Sequence, residues 1–166
     1  MGANFENQRR SRDVSPPEDS VVRVRLQSDR PQGTEVAQGD AIISTDALIT
    51  RGITTCTGVM LVSSTHNFLA HADSETDTEW LSNKIREFIE VGSQPIGVFR
   101  FNCHGQGPNE PAEAITREAL KAVGLMEVCQ DIPSVNVLHT VIANKPGSSN
   151  RVALFLQEIV WFPEGD

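Results

Sequence analysis

The apolar residues in the first third of the chain occur in short stretches that predict strands separated by loops. Val21 to Leu26 alternates apolar residues with arginine, which is typical of a half-exposed strand. Residues 28–40 contain a proline and two glycines, so they are predicted to form a loop. Ala41 to Ile43 predicts a short strand, and the stretch from there to Gly52 is interpreted as a connection.

The next apolar stretch predicts a hairpin. Residues 56–62 have the length and apolar character of a buried strand, residues 63–67 predict a turn, and Phe68 to His71 begins a returning antiparallel strand. Cys56 and His71 are 71 − 56 = 15 residues apart. A hairpin of this length is expected to hold the two side chains face to face.

Two stretches with helical periodicity follow the hairpin. Thr76 and Glu79 have the spacing of a capping box, in which the Thr76 hydroxyl accepts from the amide of Glu79. The apolar stripe of the first helix, which is expected to stop at Gly92, is Leu81, Ile85, Phe88 and Ile89. The second helix is predicted over Ala112 to Val123 and ends at Gly124.

The remaining apolar stretches predict three more strands. These are Pro95 to Asn102, Val135 to Ala143 and Val152 to Phe162. The last two are separated by Lys-Pro-Gly-Ser-Ser-Asn at 145–150, which is a strong hairpin signal. The sequence therefore predicts an α+β fold, in which two helices flank a mainly antiparallel or mixed sheet.

Length and charge narrow the class of protein. The 166 residues suit one domain over residues 21–166, preceded by a polar leader over residues 1–20 that is expected to be disordered. A formal net charge of −8 argues against a nucleic-acid partner, because phosphate contacts need a basic face. No apolar stretch approaches the roughly 20 residues that span a membrane. We expect a monomer.

Three cysteines, Cys56, Cys103 and Cys129, bear on the compartment. They are odd in number and form neither a Cys-x-x-Cys pair nor a zinc-finger spacing. A reducing environment fits best, and there at least one thiol is free to react. The expected location is the cytoplasm, or, for a secreted effector, the cytoplasm of a target cell.

Cys56 and His71 are the candidates for chemistry. A thiol nucleophile needs a base that takes its proton and a third group that orients the base. Ordinary interpretations stay open, since a lone cysteine is often a small buried hydrophobe and a lone histidine a hydrogen-bonded surface group. Carboxylates nearby, among them Asp73, could tune the site or simply be solvated.

Two other hypotheses use the same region. Cys103 and His104 follow a strand and could line a loop near the site, although a structural role is the simpler interpretation. Together with Cys56 and His71 they could form a zinc site for a metal-dependent hydrolase, because thiolate and imidazole suit zinc. Alternatively, the chain is a non-catalytic interaction domain that retains the fold.

Residues 50–56, with the sequence Thr-Arg-Gly-Ile-Thr-Thr-Cys, precede an apolar strand and His71. This arrangement resembles the Cys-His deamidase superfamily, which includes the CheD chemoreceptor glutamine deamidases, the catalytic domain of the cytotoxic necrotizing factors and Burkholderia lethal factor. CheD-like sequences carry Thr-x-Gly-Leu-Gly-Ser-Cys, with the histidine on the next strand. The chain is also similar to protein N-terminal asparagine amidohydrolase in its Thr-Thr-Cys, its apolar strand and the His-Ala-Asp at 71–73.

The resemblance covers about a third of the chain, roughly residues 41–90, and implies a fold of the CheD and cytotoxic-necrotizing-factor type. It implies that Cys56 is the nucleophile, His71 the general base, and Thr50 the residue that orients the histidine through its hydroxyl or its carbonyl. Backbone amides around Cys56 and Thr55, supported by Thr54, would form the oxyanion hole.

The reaction implied is deamidation of a glutamine or asparagine side chain in a protein substrate, which yields the acid and ammonia. It needs no metal or organic cofactor. The substrate protein stays open.

Overall fold

The computed structural model describes residues 21–26, 33–53, 55–92, 94–103, 111–133, 139–156 and 159–164. Within this part, side-chain surroundings are defined for 33–53, 55–92, 94–103, 111–133 and 140–153. The predicted leader, residues 1–20, lies outside the described residues, so the expectation of disorder there stays a prediction.

The strands of the chain form two sheets. In chain order they are β1 (Val21–Leu26), β2 (Thr34–Glu35), β3 (Ala41–Ser44), β4 (Leu48–Ile53), β5 (Thr57–Val62), β6 (Asn67–Ala72), β7 (Gly97–Cys103), β8 (Gln130–Pro133), β9 (His139–Ala143), β10 (Val152–Leu156) and β11 (Ile159–Glu164). One sheet has six strands in the order β1-β11-β10-β9-β4-β2, and the other has five in the order β3-β6-β5-β7-β8. The pairs β2–β4 and β7–β8 are parallel, whereas the others are antiparallel.

Two helices and a short 3-10 turn complete the described fold. They are α1 (Thr78–Gly92), α2 (Pro111–Ala122) and the 3-10 turn Met126–Val128. Leu81, Ile85 and Phe88 of α1 are fully buried, as their helical spacing predicts. The N-cap is Asp77, whose Oδ2 accepts from the amide of Trp80 at 2.8 Å.

The five-stranded sheet is the middle layer. One of its faces, with Met60, Leu69 and Phe101, shares a buried cluster with Leu48 and Val141 of the six-stranded sheet. Because strand side chains alternate, the other face carries residues such as Val59, Leu61 and Phe68, which pack against both helices. The layers are therefore sheet, sheet and helices, with a core on each side of the middle sheet.

This architecture confirms the α+β class and several predicted elements. The strand Val21–Leu26, the short strand at 41 and the hairpin of β5 with β6 are present. The predicted turn at 145–150 also joins two antiparallel strands, β9 and β10. Each of these had a complete local signal, either strict alternation or a continuous apolar run beside turn residues.

Two predictions in the polar connections are wrong, and one short strand was missed. The stretch before Gly52 is not a connection but the buried strand β4, and residues 34–35 of the predicted loop form β2. Both are held by long-range pairing, since β4 bonds to β9 at the far end of the chain. The four residues of β8 were missed as well, because a strand this short has almost no periodicity.

Two further predictions are corrected at element ends. The stretch 152–162 is two strands, because β10 and β11 pair antiparallel with each other, and no glycine or proline marked the break. The capping box is also wrong. The Thr76 hydroxyl accepts from the amide of Asp73 at 2.9 Å and donates to the Asp73 carboxylate at 3.1 Å, so Asp77 caps the helix instead.

Candidate active site

Thr50 and His71 meet between the two sheets. Thr50 lies on β4 of the six-stranded sheet, and His71 lies on β6 of the five-stranded sheet, on the face that looks toward it. The Thr50 hydroxyl is 2.8 Å from Nδ1 of His71 and 2.7 Å from the carbonyl oxygen of Val36. Both side chains are buried, with 0% and 3% of their surface exposed.

These distances fix the tautomer of His71. A threonine hydroxyl has one proton, and the Val36 carbonyl can only accept, so the Thr50 proton points to Val36. Toward His71 the hydroxyl oxygen must therefore accept, which places a proton on Nδ1. In the neutral ring the other nitrogen, Nε2, is then an unprotonated base. Nε2 is buried and has no hydrogen-bond partner among the described residues.

Cys56 lies immediately before β5, diagonally across the hairpin from His71. The residue directly opposite His71 is Gly58, two positions along the chain from Cys56. Cys56 lies outside β5, but continuing the alternation of the strand from Gly58 by two residues would place it on the side of Gly58 and His71, where diagonal neighbours lie about 7–8 Å apart at Cα. The prediction that the two would stand directly face to face is thus off by two residues.

Gly58 itself is closely packed. A Cβ built there would lie 3.0 Å from Cδ1 of Ile53 and 3.6 Å from Cβ of Phe101. Ile53 reaches this position because β4 has a register irregularity at Gly52, which has a φ of 74°. The irregularity at Gly52 therefore lets Ile53 fill the space above Gly58.

The segment between β2 and β3 fastens the backbone of His71. The amide of Gly39 donates to the His71 carbonyl at 2.7 Å, and the His71 amide donates to the Asp40 carbonyl at 3.0 Å. The same segment supplies the Val36 carbonyl that orients Thr50. Its Gln38 side chain donates to the Asp73 carboxylate at 3.1 Å. The base is thus held through both its main chain and its ring.

Burial keeps both reactive groups neutral in the resting protein. The pKa of Cys56 is raised by burial and by the nearby charge of Asp73, against a smaller lowering by the Thr55 hydroxyl. Burial lowers the pKa of His71, although Asp73 opposes this. The site therefore contains a thiol and a neutral imidazole rather than a preformed ion pair, and any reaction in which the sulfur acts as a nucleophile requires that the thiol lose its proton.

Asp73 is the carboxylate that acts on both groups. Hydrogen bonds from Gln38, the Glu75 amide and Thr76 lower its pKa, so it is charged near neutral pH. Its charge raises the pKa values of Cys56 and His71. A charged, half-buried carboxylate at this position would favour the imidazolium that forms when His71 takes the thiol proton.

The other predicted site residues divide into two groups. Thr55 is exposed, and the bond between its hydroxyl and the thiol of Cys56 places it at the site. Thr54 and His104 lie outside the described residues. The roles of Thr54 and Thr55 at an oxyanion hole stay predictions.

Cys103 belongs to a different cleft of about 350 Å³, which Cys56, His71 and Thr50 do not line. The lining residues are Arg100, Cys103, Glu113, Arg117, Met126, Asp131 and Pro133. Arg100 is buried there and donates to Asp131 through Nε at 2.9 Å and Nη2 at 2.6 Å. Burial raises the pKa of Cys103 to about 12, so this thiol is unreactive.

The zinc hypothesis has no geometric support in the described part of the chain. No group of three or more histidine, cysteine, aspartate or glutamate side chains there is arranged to hold a metal ion. Two of the four proposed ligands, Cys56 and Cys103, are associated with separate sites, and a third, His104, is not described.

Two residues at the site were not foreseen. Val36 contributes only a carbonyl, which no sequence pattern reports. Asn102 donates from Nδ2 to the carbonyl of Cys56 at 2.8 Å and is 1% exposed. An asparagine at a strand end beside Cys103 is a usable local signal, because asparagine tolerates the positive φ of 70° that it adopts here.

Replacing Thr50 by valine tests whether the hydroxyl orients His71. Valine keeps the β-branched shape but leaves Nδ1 without its acceptor, so we expect the rate of Cys56 alkylation by iodoacetamide to fall about 10- to 100-fold. Thr50→Ser, which retains the hydroxyl, should stay close to wild type. Equal rates in Thr50→Val and wild type would show that the hydroxyl does not matter. Melting temperatures of both variants provide the folding control.

The lowered pKa of His71 predicts a distinctive titration. In NMR spectra recorded against pH, the ring of His71 should titrate below the ordinary value of 6.5. The unfolded chain takes up this proton at a higher pH than the folded protein does. The free energy of unfolding therefore decreases as the pH falls from 6.5 toward the pKa that His71 has in the folded protein. The His71 signal is assigned by its absence from the spectrum of His71→Gln, which is the control. A titration midpoint at or above pH 6.5 would contradict the argument that burial lowers the pKa.

Comparison with known proteins adds no relative. The chain matches no protein-family model, and no match was found among curated protein sequences. Among the helices of the described part of the chain, none is long and apolar enough to cross a membrane.

Proposed function

We propose that this protein is a cysteine-dependent amidohydrolase that deamidates a glutamine or asparagine side chain in another protein. The observation that carries the proposal is the hydrogen-bonded series from His71 Nδ1 through the Thr50 hydroxyl to the Val36 carbonyl. It leaves a buried, unprotonated Nε2 on the hairpin whose first strand begins directly after Cys56. Nucleophile, base and orienting group are the parts that acyl transfer by a thiol requires.

The reaction begins with attack by Sγ of Cys56 on the carboxamide carbon. A carbon–sulfur bond forms, and the thiol proton passes to Nε2 of His71. The imidazolium then returns this proton to the amide nitrogen, because an amide ion is a poor leaving group. The carbon–nitrogen bond breaks, ammonia departs, and an acyl thioester on Cys56 remains.

Water completes the cycle. The water oxygen attacks the thioester carbon while Nε2 of His71 takes a proton from the water. The carbon–sulfur bond then breaks. The proton returns to the sulfur, which regenerates the neutral thiol and imidazole. Thr50 keeps Nδ1 protonated throughout, so that Nε2 is the nitrogen that exchanges protons in both halves of the reaction.

Cys56 is 7% exposed and His71 3% exposed, so only a slender group can reach both. A carboxamide on the flexible stem of glutamine or asparagine fits this requirement. The product carries a new negative charge in place of a neutral hydrogen-bonding amide.

The test is a comparison of protein mixtures incubated with wild type and with Cys56→Ala. We expect wild type, and not the variant, to release ammonia and to raise the mass of specific glutamine or asparagine residues by about 1 Da each. Mass spectrometry of peptides identifies the positions. If no residue gains this mass and no ammonia forms, the proposed activity is wrong. A non-catalytic interaction domain would give identical spectra for both proteins.

A further inference from the structure

Asn102 is a conformational exception in the fold. Among the described residues it is the only one other than glycine with a positive φ, at 70°. It interrupts the pairing of β7 with β8, whose register shifts between Phe101 and Cys103. The side chain is 1% exposed, so a polar group is buried on a distorted piece of backbone. Such an arrangement costs stability unless its contacts compensate.

One contact of the Asn102 side chain is to the main chain of Cys56. Its Nδ2 donates to the carbonyl oxygen of Cys56 at 2.8 Å. The pairing of β5 with β7 ends at Gly58 and Phe101. Cys56 lies two residues beyond Gly58, and Asn102 lies one residue beyond Phe101. Where the backbone hydrogen bonds between β5 and β7 end, the side-chain amide of Asn102 therefore takes the place of a backbone donor.

We propose that Asn102 is a positioning residue for Cys56. The bond to its carbonyl fixes the rotation of the peptide group between Cys56 and Thr57, and with it the direction in which the Cys56 Cα–Cβ bond points. Without that bond the end of the strand could rotate, because residue 56 lies outside β5. The proposal rests on the proposed function for its catalytic meaning, but the positioning can be measured without any substrate.

The distorted backbone is what allows the contact. In a regular strand the side chain of residue 102 would follow the alternation and share a face with Arg100, which lies toward α2. The positive φ turns the side chain so that it reaches the strand end of the neighbouring β5 instead. Asparagine is among the residues that adopt this conformation at low cost and still carry a donor.

Two substitutions separate the donor from the backbone conformation. Asn102→Gly keeps the positive φ without strain but lacks the donor. Asn102→Asp keeps the shape and replaces the donor by a carboxylate, which can donate to the Cys56 carbonyl only when it is protonated. In both, we expect the iodoacetamide alkylation rate of Cys56 at pH 8 to fall about 10- to 100-fold relative to wild type.

The pH dependence of Asn102→Asp distinguishes positioning from loss of structure. The rate ratio of this variant to wild type should rise toward 1 as the pH is lowered and the new carboxyl gains its proton. A merely destabilised protein exposes Cys56, which is 7% exposed in the fold, and is alkylated faster than wild type, so its ratio lies above 1. If Asn102→Gly fails to fold, Asn102→Asp still decides the question. The proposal is overturned if the alkylation rate of Cys56 in every folded variant stays within about twofold of the wild-type rate.

Asn67→Asp is the matched control. Asn67 is also a buried asparagine, and its Nδ2 donates to the carbonyls of Asp46 and Asn144 at 3.0 and 2.9 Å, at the opposite end of β6 from His71. The same chemical change there should leave the Cys56 rate unchanged, since the new carboxylate meets Nη2 of Arg151, which is 2.6 Å from Oδ1 of Asn67, and not the Cys56 carbonyl. Ammonia release is measured in parallel. If wild type releases none while the alkylation pattern holds, the proposed function fails and the positioning role stands.

Discussion

Replacing Cys56 by serine is expected to lower kcat/KM for ammonia release by at least about 1,000-fold. The hydroxyl nearly preserves the shape of the thiol, so the fold and the surrounding hydrogen bonds should survive. The chemistry should not, because a hydroxyl is far less acidic than a thiol. The pKa of His71 is also lowered, which makes this base too weak to deprotonate a hydroxyl readily.

Cys129→Ser is the control for this experiment. Cys129 is half-buried, and burial raises its pKa to about 12, so its substitution should not change the rate of ammonia release. Melting temperatures of both variants establish that they fold. Retention of most of the activity in Cys56→Ser would exclude the thiol as the nucleophile and would favour an activated water.

His71→Gln is expected to lower the same rate by about 100- to 10,000-fold, the usual contribution of a general acid and base. Glutamine can still hydrogen-bond to Thr50 but cannot accept a proton at neutral pH. His66→Gln is a close comparison, since His66 is a half-buried histidine in the β5–β6 turn whose ring contacts Thr65. This control should keep wild-type activity.

The double variant makes the His71 prediction sharper. If thiol and imidazole act as one unit, Cys56→Ala combined with His71→Gln should be no slower than the worse of the two single variants. Multiplied losses would mean that the two residues act independently. In that case His71 would have a structural role through the loop that contains Gly39 and Asp40.

The neutral pair at rest distinguishes this site from thiol enzymes that hold a preformed thiolate. Burial is the first cause of both shifts, raising the pKa of Cys56 and lowering that of His71. A neutral thiol is less nucleophilic than a thiolate. The reactivity of Cys56 toward any electrophile then depends on transfer of the thiol proton to His71 as the sulfur attacks.

The sequence supports the hairpin and the reactive pair far better than it supports the third residue. Cys56 directly precedes β5 and His71 lies on β6, which a short turn joins to β5, so the local pattern alone predicts that the two are neighbours. Thr50 required knowledge that β4 is a strand of the other sheet, and its pairing partner β9 lies about 90 positions further along the chain. Only the resemblance to the Cys-His deamidases pointed to Thr50, without deciding between hydroxyl and carbonyl. The hydroxyl is the group that contacts His71.

Val36 and Asn102 show a second limit of sequence reasoning. The carbonyl of Val36 acts through its position, which any residue could supply. Asn102 acts through a backbone conformation that appears only when β7 pairs irregularly with β8. The signals that succeeded were periodic and local, whereas these contacts depend on how two sheets pack against each other.

The most direct measurement is the relative rate at which iodoacetamide modifies the three cysteines at neutral pH, read by peptide mass spectrometry in wild type and His71→Gln. Cys103 and Cys129 are internal references, since the pKa of each is raised to about 12. The account predicts that Cys56 is alkylated first in wild type and loses this preference in His71→Gln, because the neutral imidazole takes its proton. Equal rates for the three thiols, or a Cys56 preference that survives the loss of His71, would contradict it.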